Sequence, residues 1–386
     1  MISKRVKNIA PSATLAIDSK AKQLKKEGKD VVIFGAGEPD FNTPENIKQA
    51  AKKAIDNNFT RYTPVGGIPE LKNAVSDKFR KFNKINYESS EVIIGCGGKH
   101  VLYNAMLSVL EKGDEAILPV PYWVSFEEMI KLGEAKPVFC ATDKKFKLTA
   151  ENVKDKITKK TKLLILNSPS NPSGAIVEPS EIKKIAELAV KHNFYVISDE
   201  VYEHFVYGNK EFLSIASLND EIKKLTITCN SVSKTYAMTG WRIGYCGAPK
   251  EIINAMENLQ GHSTSNPSNI AQMAALEALT GQQDSVMEMV KAFDERRKLI
   301  HKRLNEIDGI SCVEPEGAFY AFPNIEGTGM DSMTFASKLL DEALVAVVPG
   351  IAFGKENHVR LSYAASANEI NRGMDRIEKW LKQKAG

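Results

Sequence analysis

Cysteine is scarce and unpaired in this sequence: Cys96, Cys140, Cys229, Cys246 and Cys312 are five in number, lie far apart and form no C-x-x-C. An odd, scattered set excludes a disulfide framework and a zinc site, so no metal is expected, and these residues read as small buried hydrophobes of a reducing compartment. No stretch is apolar enough to span a membrane, and MISKRVKNIAPSA carries basic residues without the apolar core of a signal peptide. Long runs of one charge are missing too. With 52 basic and 48 acidic residues spread over 386 positions, the net charge is +4. That balance argues against nucleic acid as a partner and, with no membrane segment, predicts a cytoplasmic globular protein. The length suits two domains, and no internal repeat or low-complexity tract interrupts it.

Two familiar phosphate motifs are also absent. A dinucleotide fingerprint starting at Gly95 needs glycine at 100, where His100 stands, and a Walker loop ending at Gly98-Lys99 needs glycine at 93, where Ile93 stands. What GCGGKH retains is a glycine pair after a strand and at a helix N-terminus, where backbone N–H groups are open to an anion.

Periodicity sets the organisation. Residues 12 to 28 read as a helix capped by Ser12, with Ala13, Ile17, Ala21 and Leu24 on one face and Gly28 as its stop. From about residue 45, helical patterns alternate with seven short apolar runs: EVIIGCG, EAILPV, PVFCA, LLILNSP, FYVISDE, LTITCNS and RIGYCGA. Segments between them such as SEIKKIAELAVKHN, with Ile182, Ile185, Ala186 and Ala189 at helical spacing, predict a mostly parallel seven-stranded sheet with helices on both faces. Polar residues follow the apolar runs in NSPSNPSG, SDEVYEH and NSVSK, at the strand carboxyl ends where open α/β sheets build their sites. Beyond residue 282 the pattern changes: a long helix over Val286 to Ile307, then CVEPEGAFYAFPN, a helix, VAVVPG, HVRLSYA and a last helix. That last helix has Ser366 and Glu369 as a capping box and a buried stripe of Ile370, Met374, Ile377 and Leu381. The division expected is a large α/β domain over 41–282 and a smaller α+β domain made from 1–40 and 283–386.

The chemistry centres on SVSKTYAMTGWRIGY, Ser231 to Tyr245. A lysine that forms an imine with an aldehyde needs a fixed place, and a phosphorylated aldehyde needs separate anchors; Ser231, Ser233 and Arg242 around Lys234 offer two hydroxyls and a guanidinium fork. A solvated strand-to-loop segment explains the tetrapeptide SVSK equally well. Asp199, directly after an apolar strand, is suited to keeping a pyridine nitrogen protonated, or else is a cap. Tyr202 and Asn171 can bond a phenolic oxygen, although Asn171-Pro172 and Gly174 also make an ordinary turn. Trp123 can stack on a planar ring or belong to the core. Arg360, inside the apolar pattern HVRLSYA, needs a partner if buried: an internal Asp or Glu, or a substrate carboxylate.

Taken together, these residues resemble the class I pyridoxal-phosphate aminotransferases, specifically the bacterial and archaeal aspartate aminotransferase branch. GAGEPDF, RYTPVGGIPELKNAV, GGK, PYWVS, NSPSNPSGA, SDEVYEH, SKTYAMTGWRIGY, GAFY and VRLSYA follow in the family's order along the whole chain. The resemblance implies fold type I, pyridoxal 5'-phosphate as cofactor and a homodimer with shared active sites. It implies transfer of the amino group of L-aspartate to 2-oxoglutarate, giving oxaloacetate and L-glutamate. By it, Lys234 is the Schiff-base lysine, Asp199 the partner of the pyridinium nitrogen, and Asn171 and Tyr202 the ligands of the phenolic oxygen. Trp123 stacks on the ring, while Gly98, Lys99, Ser231, Ser233 and Arg242 form the phosphate cradle, joined by Tyr62 from the neighbouring subunit. Arg360, with a backbone contact from Gly37, binds the α-carboxylate; Lys99, helped by Ser12 and Thr14, meets a distal carboxylate. Relatives that also use prephenate carry a basic residue where Ala10 stands, a departure from that pattern. Aromatic, alanine or kynurenine-type transamination and cysteine-conjugate β-lysis share the same cofactor set and rank behind aspartate because of Lys99.

Overall fold

The computed structural model describes residues 2–7, 9 and 13–385, with the side chains of 4, 5, 13–16, 18 and 385 outside the description. Among the described residues twelve strands run in chain order: β1 (Val32–Ile33), β2 (Val92–Gly95), β3 (Glu115–Val120), β4 (Lys136–Ala141), β5 (Thr161–Asn167), β6 (Tyr195–Asp199), β7 (Thr226–Ser231), β8 (Gly244–Gly247), β9 (Tyr320–Ala321), β10 (Val345–Ala346), β11 (Val348–Pro349) and β12 (Val359–Ser362). Each of the seven apolar runs becomes one strand of a seven-stranded sheet, ordered β2-β8-β7-β6-β5-β3-β4. The sheet is parallel except at β8, which is antiparallel to both neighbours. Residues 232–243 explain the exception. A parallel return needs a crossover that traverses the sheet, whereas this connection is a short helix at Val232–Thr235 and a tight turn at Thr239–Trp241, which reverse the chain at one end.

The inner strands are buried on both faces, as continuous apolar runs require, with β7 and β8 among them, and also the edge strand β2, buried at every residue. The helix Pro179–His192 buries Ile182, Ile185, Ala186 and Ala189 and stops where Asn193 turns left-handed. Register then aligns the strand ends: Asn167 pairs with Asp199, Asp199 with Cys229, and Ser231 with Gly244. Polar side chains just past the apolar stretches therefore share one edge of the sheet.

Two smaller sheets lie outside it. β1 pairs in parallel with β10, and β11-β12-β9 form an antiparallel sheet. The helix Asp284–Asn305 covers the expected long helix, and with the last helix, Ala367–Ala385, it packs around Phe293, Phe319, Phe335 and Tyr363. Two details depart from expectation. Ser366 Oγ accepts the Glu369 N–H at 3.2 Å, but the Glu369 carboxylate turns to Arg372 at 2.9 Å, so only half of the capping box forms. Leu381 is only half-buried, and Trp380 joins the stripe, its indole N–H bonded to Glu342 at 2.7 Å. The first long helix runs from Ala13 to Lys26 with Gly28 left-handed beyond it; Ser12, its expected cap, lies outside the described residues. Among the described residues no helix is long and apolar enough to cross a membrane.

Candidate active site

A cavity of about 380 Å³ opens at the carboxyl ends of β5, β6 and β7. It gathers Gly37, Gly98, Lys99, Trp123, Asn171, Asp199, Tyr202, Ser231, Ser233, Lys234, Arg242 and Arg360 from positions far apart in sequence. Lys234 sits on the short helix that Ser231 caps, the serine hydroxyl accepting the Ser233 N–H at 2.9 Å. Its Nζ donates to the carbonyl of Gly37. Burial lowers its pKa to about 8, with Arg360 and Arg242 pushing the same way and Glu38 and Asp199 opposing. A neutral, nucleophilic amine is therefore within easy reach near neutral pH.

Asp199 is 5% exposed, and burial raises its pKa to about 7 against the pull of the Val201 N–H and of Lys234. The Val201 bond, at 3.3 Å, is a local turn, and no helix starts there; the cap reading of Asp199 accounts for little of its setting. Tyr202 is bonded hydroxyl to hydroxyl with Tyr320 at 2.8 Å, both buried. The Asn171 backbone N–H donates to Asn167 Oδ1 at 2.9 Å, and Asn167 Nδ2 donates to the Asp199 carbonyl at 3.2 Å, tying two strand ends together.

Arg360, on β12, decides between its two readings. The residue is 4% exposed, and its guanidinium donates to Asn171 Oδ1 at 3.0 Å and to the Gly35 carbonyl at 2.8 Å. It lies 4.6 Å from the centre of the Tyr320 ring, and its Nε has no hydrogen-bond partner among the described residues. No carboxylate among the described side chains pairs with it, so the expected alternative of an internal acid is overturned. A buried guanidinium left with neutral acceptors and a spare N–H is poised for an incoming anion.

The opposite wall is a cradle of small residues. A Cβ on Gly97 would stand 2.2 Å from Arg242 Nη2, and one on Gly244 would stand 2.3 Å from the Gly98 nitrogen. The glycines thus let Arg242, Ser231 and the start of the helix Gly98–Val109 converge, where the first N–H groups have no intrahelical acceptor. Ser231 and Ser233 hydroxyls meet at 2.6 Å. Lys99 is exposed at the rim, yet protein packed around its ammonium, and then Arg242, lower its pKa.

The family model for aminotransferase class I and II matches residues 29–377. An aspartate aminotransferase from Bacillus sp. (strain YM-2) is 47% identical over 389 residues, covering 99% of each chain. The crystal structure of an aspartate aminotransferase from Rhizobium meliloti superposes with a TM-score of 0.95 at 43% identity, covering 99% of each chain. One from Thermus thermophilus, solved with maleate, gives a TM-score of 0.95 at 41% identity over 98% of this chain and 99% of its own. The chain belongs to the class I and II aminotransferases.

Members of this family are transaminases, and the fold is theirs. Of the residues singled out from the sequence, Tyr62 is not in the cavity: it is 94% exposed on the single chain. Ser12 lies outside the described residues, as does the side chain of Thr14. Sequence reasoning missed Tyr320, Asn167, Glu38 and Asn230, which also line the cavity. Tyr320 stood in GAFY, Asn167 opened NSPSNPSG, Glu38 stood in GAGEPDF and Asn230 opened NSVSK, so all four lay inside quoted motifs without being singled out. Among the described residues no cluster of His, Cys, Asp and Glu is arranged to hold a metal.

Proposed function

We propose that the chain is a pyridoxal-phosphate-dependent aspartate aminotransferase that moves the amino group of L-aspartate to 2-oxoglutarate, giving oxaloacetate and L-glutamate. The observation that carries this reading is a lysine of lowered pKa sharing one cavity with a buried arginine that has no carboxylate partner among the described residues. The cradle fits the cofactor's phosphate, because the bare backbone at Gly97 and Gly244 lets the Arg242 guanidinium and the start of the helix Gly98–Val109 come together there. When bound, pyridoxal phosphate supplies an aldehyde for the amino group and a ring that draws electrons from the α-carbon.

In this reading Ser231, Ser233, Arg242 and the N–H groups at Gly98 and Lys99 hold the phosphate, and Trp123 stacks on the ring. Asn171 and Tyr202 bond the phenolic oxygen. Asp199, whose burial otherwise favours the protonated form, ionises against a ring N–H and keeps that proton in place. Arg360 binds the substrate α-carboxylate, with Gly37 beside it. Lys234 Nζ would act on the substrate's α-proton first as base and then, once protonated, as the acid that gives it back, a role suited to an amine titrating at about 8. Lys99, with Ser12 and Thr14, receives the distal carboxylate; the Thermus thermophilus relative solved with maleate, a dicarboxylate, supports this choice.

The proposed division is a large domain over 41–282 and a small one from 1–40 and 283–386, so that Gly37 and Arg360 approach from the small domain. The proposed assembly is a cytoplasmic homodimer in which Tyr62 completes the partner's phosphate site; its exposure on the single chain supports this. Partners are small amino acids and 2-oxo acids, with neither nucleic acid nor membrane. The test is a screen of the common amino acids against 2-oxoglutarate. Highest kcat/KM for aspartate is expected, and a preference for alanine, aromatic donors or kynurenine would overturn the substrate assignment.

A further inference from the structure

Directly behind the cavity lies a buried ionic network that the transamination chemistry does not use. Glu203, 3% exposed, pairs with Lys78, whose side chain is 9% exposed. Asn83 donates to Glu200 at 2.9 Å and to Glu203 at 2.6 Å, while Ser198 and Ser214 donate to Glu200 at 2.8 and 2.5 Å. Two carboxylates and one ammonium withdrawn from water are costly, and apolar residues of the same volume would generally stabilise the fold as well or better. The network ends on Asn230, a residue of the cavity wall.

Asn230 Nδ2 donates to Glu203 Oε1 at 2.7 Å and to the Glu200 carbonyl at 3.2 Å. Both partners are acceptors, so the amide is held one way round, with Oδ1 turned to the Ser231 N–H at 2.7 Å. That N–H has particular need of it. The β6–β7 ladder ends at Asp199, level with Cys229, two residues short of Ser231. Ser231 Oγ in turn takes the Ser233 N–H and reaches Ser233 Oγ. A chain of directed bonds thus runs from Lys78 through Glu203 and Asn230 to both serines of the cradle.

We propose that Glu203, acting through Asn230, is a positioning residue that orients Ser231 and Ser233 for phosphate. The inference rests on the reading of the cavity as a pyridoxal phosphate site. Its test compares the affinities of the cofactor-free full-length protein for pyridoxal phosphate and for pyridoxal, followed by tryptophan fluorescence. Lys78→Met/Glu203→Met replaces the buried pair with apolar side chains and is expected to fold. Asn230→Ala removes the relay itself. Each should cut the preference for the phosphorylated aldehyde at least about tenfold, equivalent to about 1.4 kcal/mol, while pyridoxal affinity changes little. Ser214→Ala, which touches only Glu200, should alter melting without altering the preference. Folded variants that keep the wild-type preference would overturn the positioning role alone. A wild-type protein with no preference would overturn it together with the phosphate-site reading.

Discussion

The Lys99 ammonium stands 5.0 Å from the centre of the Trp123 ring, above its face. The indole and the cation are thereby held as one unit at the cavity rim, and Trp123 is itself braced edge-on by Phe126 at 5.3 Å. A cation poised this way, with a pKa lowered by its surroundings, can move from ring face to an incoming carboxylate at little cost.

Lys99→Gln should therefore discriminate between donors. Removing one partner of a buried ion pair costs roughly 2 to 5 kcal/mol, and of an exposed pair about 1 or less. Since Lys99 is exposed on the single chain, the size of the effect reports whether the pocket closes around the substrate. A fall of at least about thirty-fold in kcat/KM for aspartate and glutamate is expected, with alanine and aromatic donors far less affected. Equal losses for acidic and neutral donors would assign Lys99 to the phosphate alone.

Lys234→Ala should lower transamination by several orders of magnitude, because in the proposed function one amine both anchors the aldehyde and carries the proton. Single-turnover measurement with saturating pyridoxal phosphate checks it. Near-normal turnover in that variant would remove Lys234 from the chemistry.

Asp199 carries a prediction about stability as well as rate. Its carboxyl titrates at about 7 in the folded cofactor-free protein, against an ordinary 3.8, so the folded state holds this proton more tightly than the unfolded state. Stability should then fall as pH rises through about 4 to about 7, the stabilisation being complete only below that window. Glu200, raised by burial and then by the neighbouring Glu203, adds to the same slope. Asp199→Asn should flatten part of it in denaturation curves of the cofactor-free protein and slow transamination even at saturating cofactor. An unchanged slope together with wild-type single-turnover rates would return Asp199 to a turn residue.

Tyr62 supplies the test of a shared site. Tyr62→Ala and Lys234→Ala chains, each impaired alone, should recover activity when mixed under conditions of subunit exchange, since one hybrid site is intact. An active monomer, or a mixture that stays inactive after proven exchange, would falsify the shared arrangement.

Much of the site was legible because its parts lie close together along the chain or at predictable strand ends. Ser231, Ser233, Lys234 and Arg242 fall within one reversal of the chain, and Asp199 and Asn171 follow apolar runs that had to become parallel strands. Arg360 was not legible in the same way. Its apolar context called for a partner, and only the approach of Asn171 and Gly35 showed that its partners are neutral. Asn230 opened NSVSK at a strand end, but its role was not legible there, since its meaning lies in Glu203 on one side and the Ser231 N–H on the other.

The sequence by itself determined the alternation of strands and helices, the edge of the sheet where polar residues collect, and the spacing of the lysine from its anchors, because periodicity and turn chemistry act over a few residues. Tertiary structure alone decided which remote segments meet there, that β8 runs against its neighbours, and that Lys234 and Asp199 titrate near neutrality. Those properties depend on how much water and which charges the rest of the fold leaves around each group, and no local pattern encodes that.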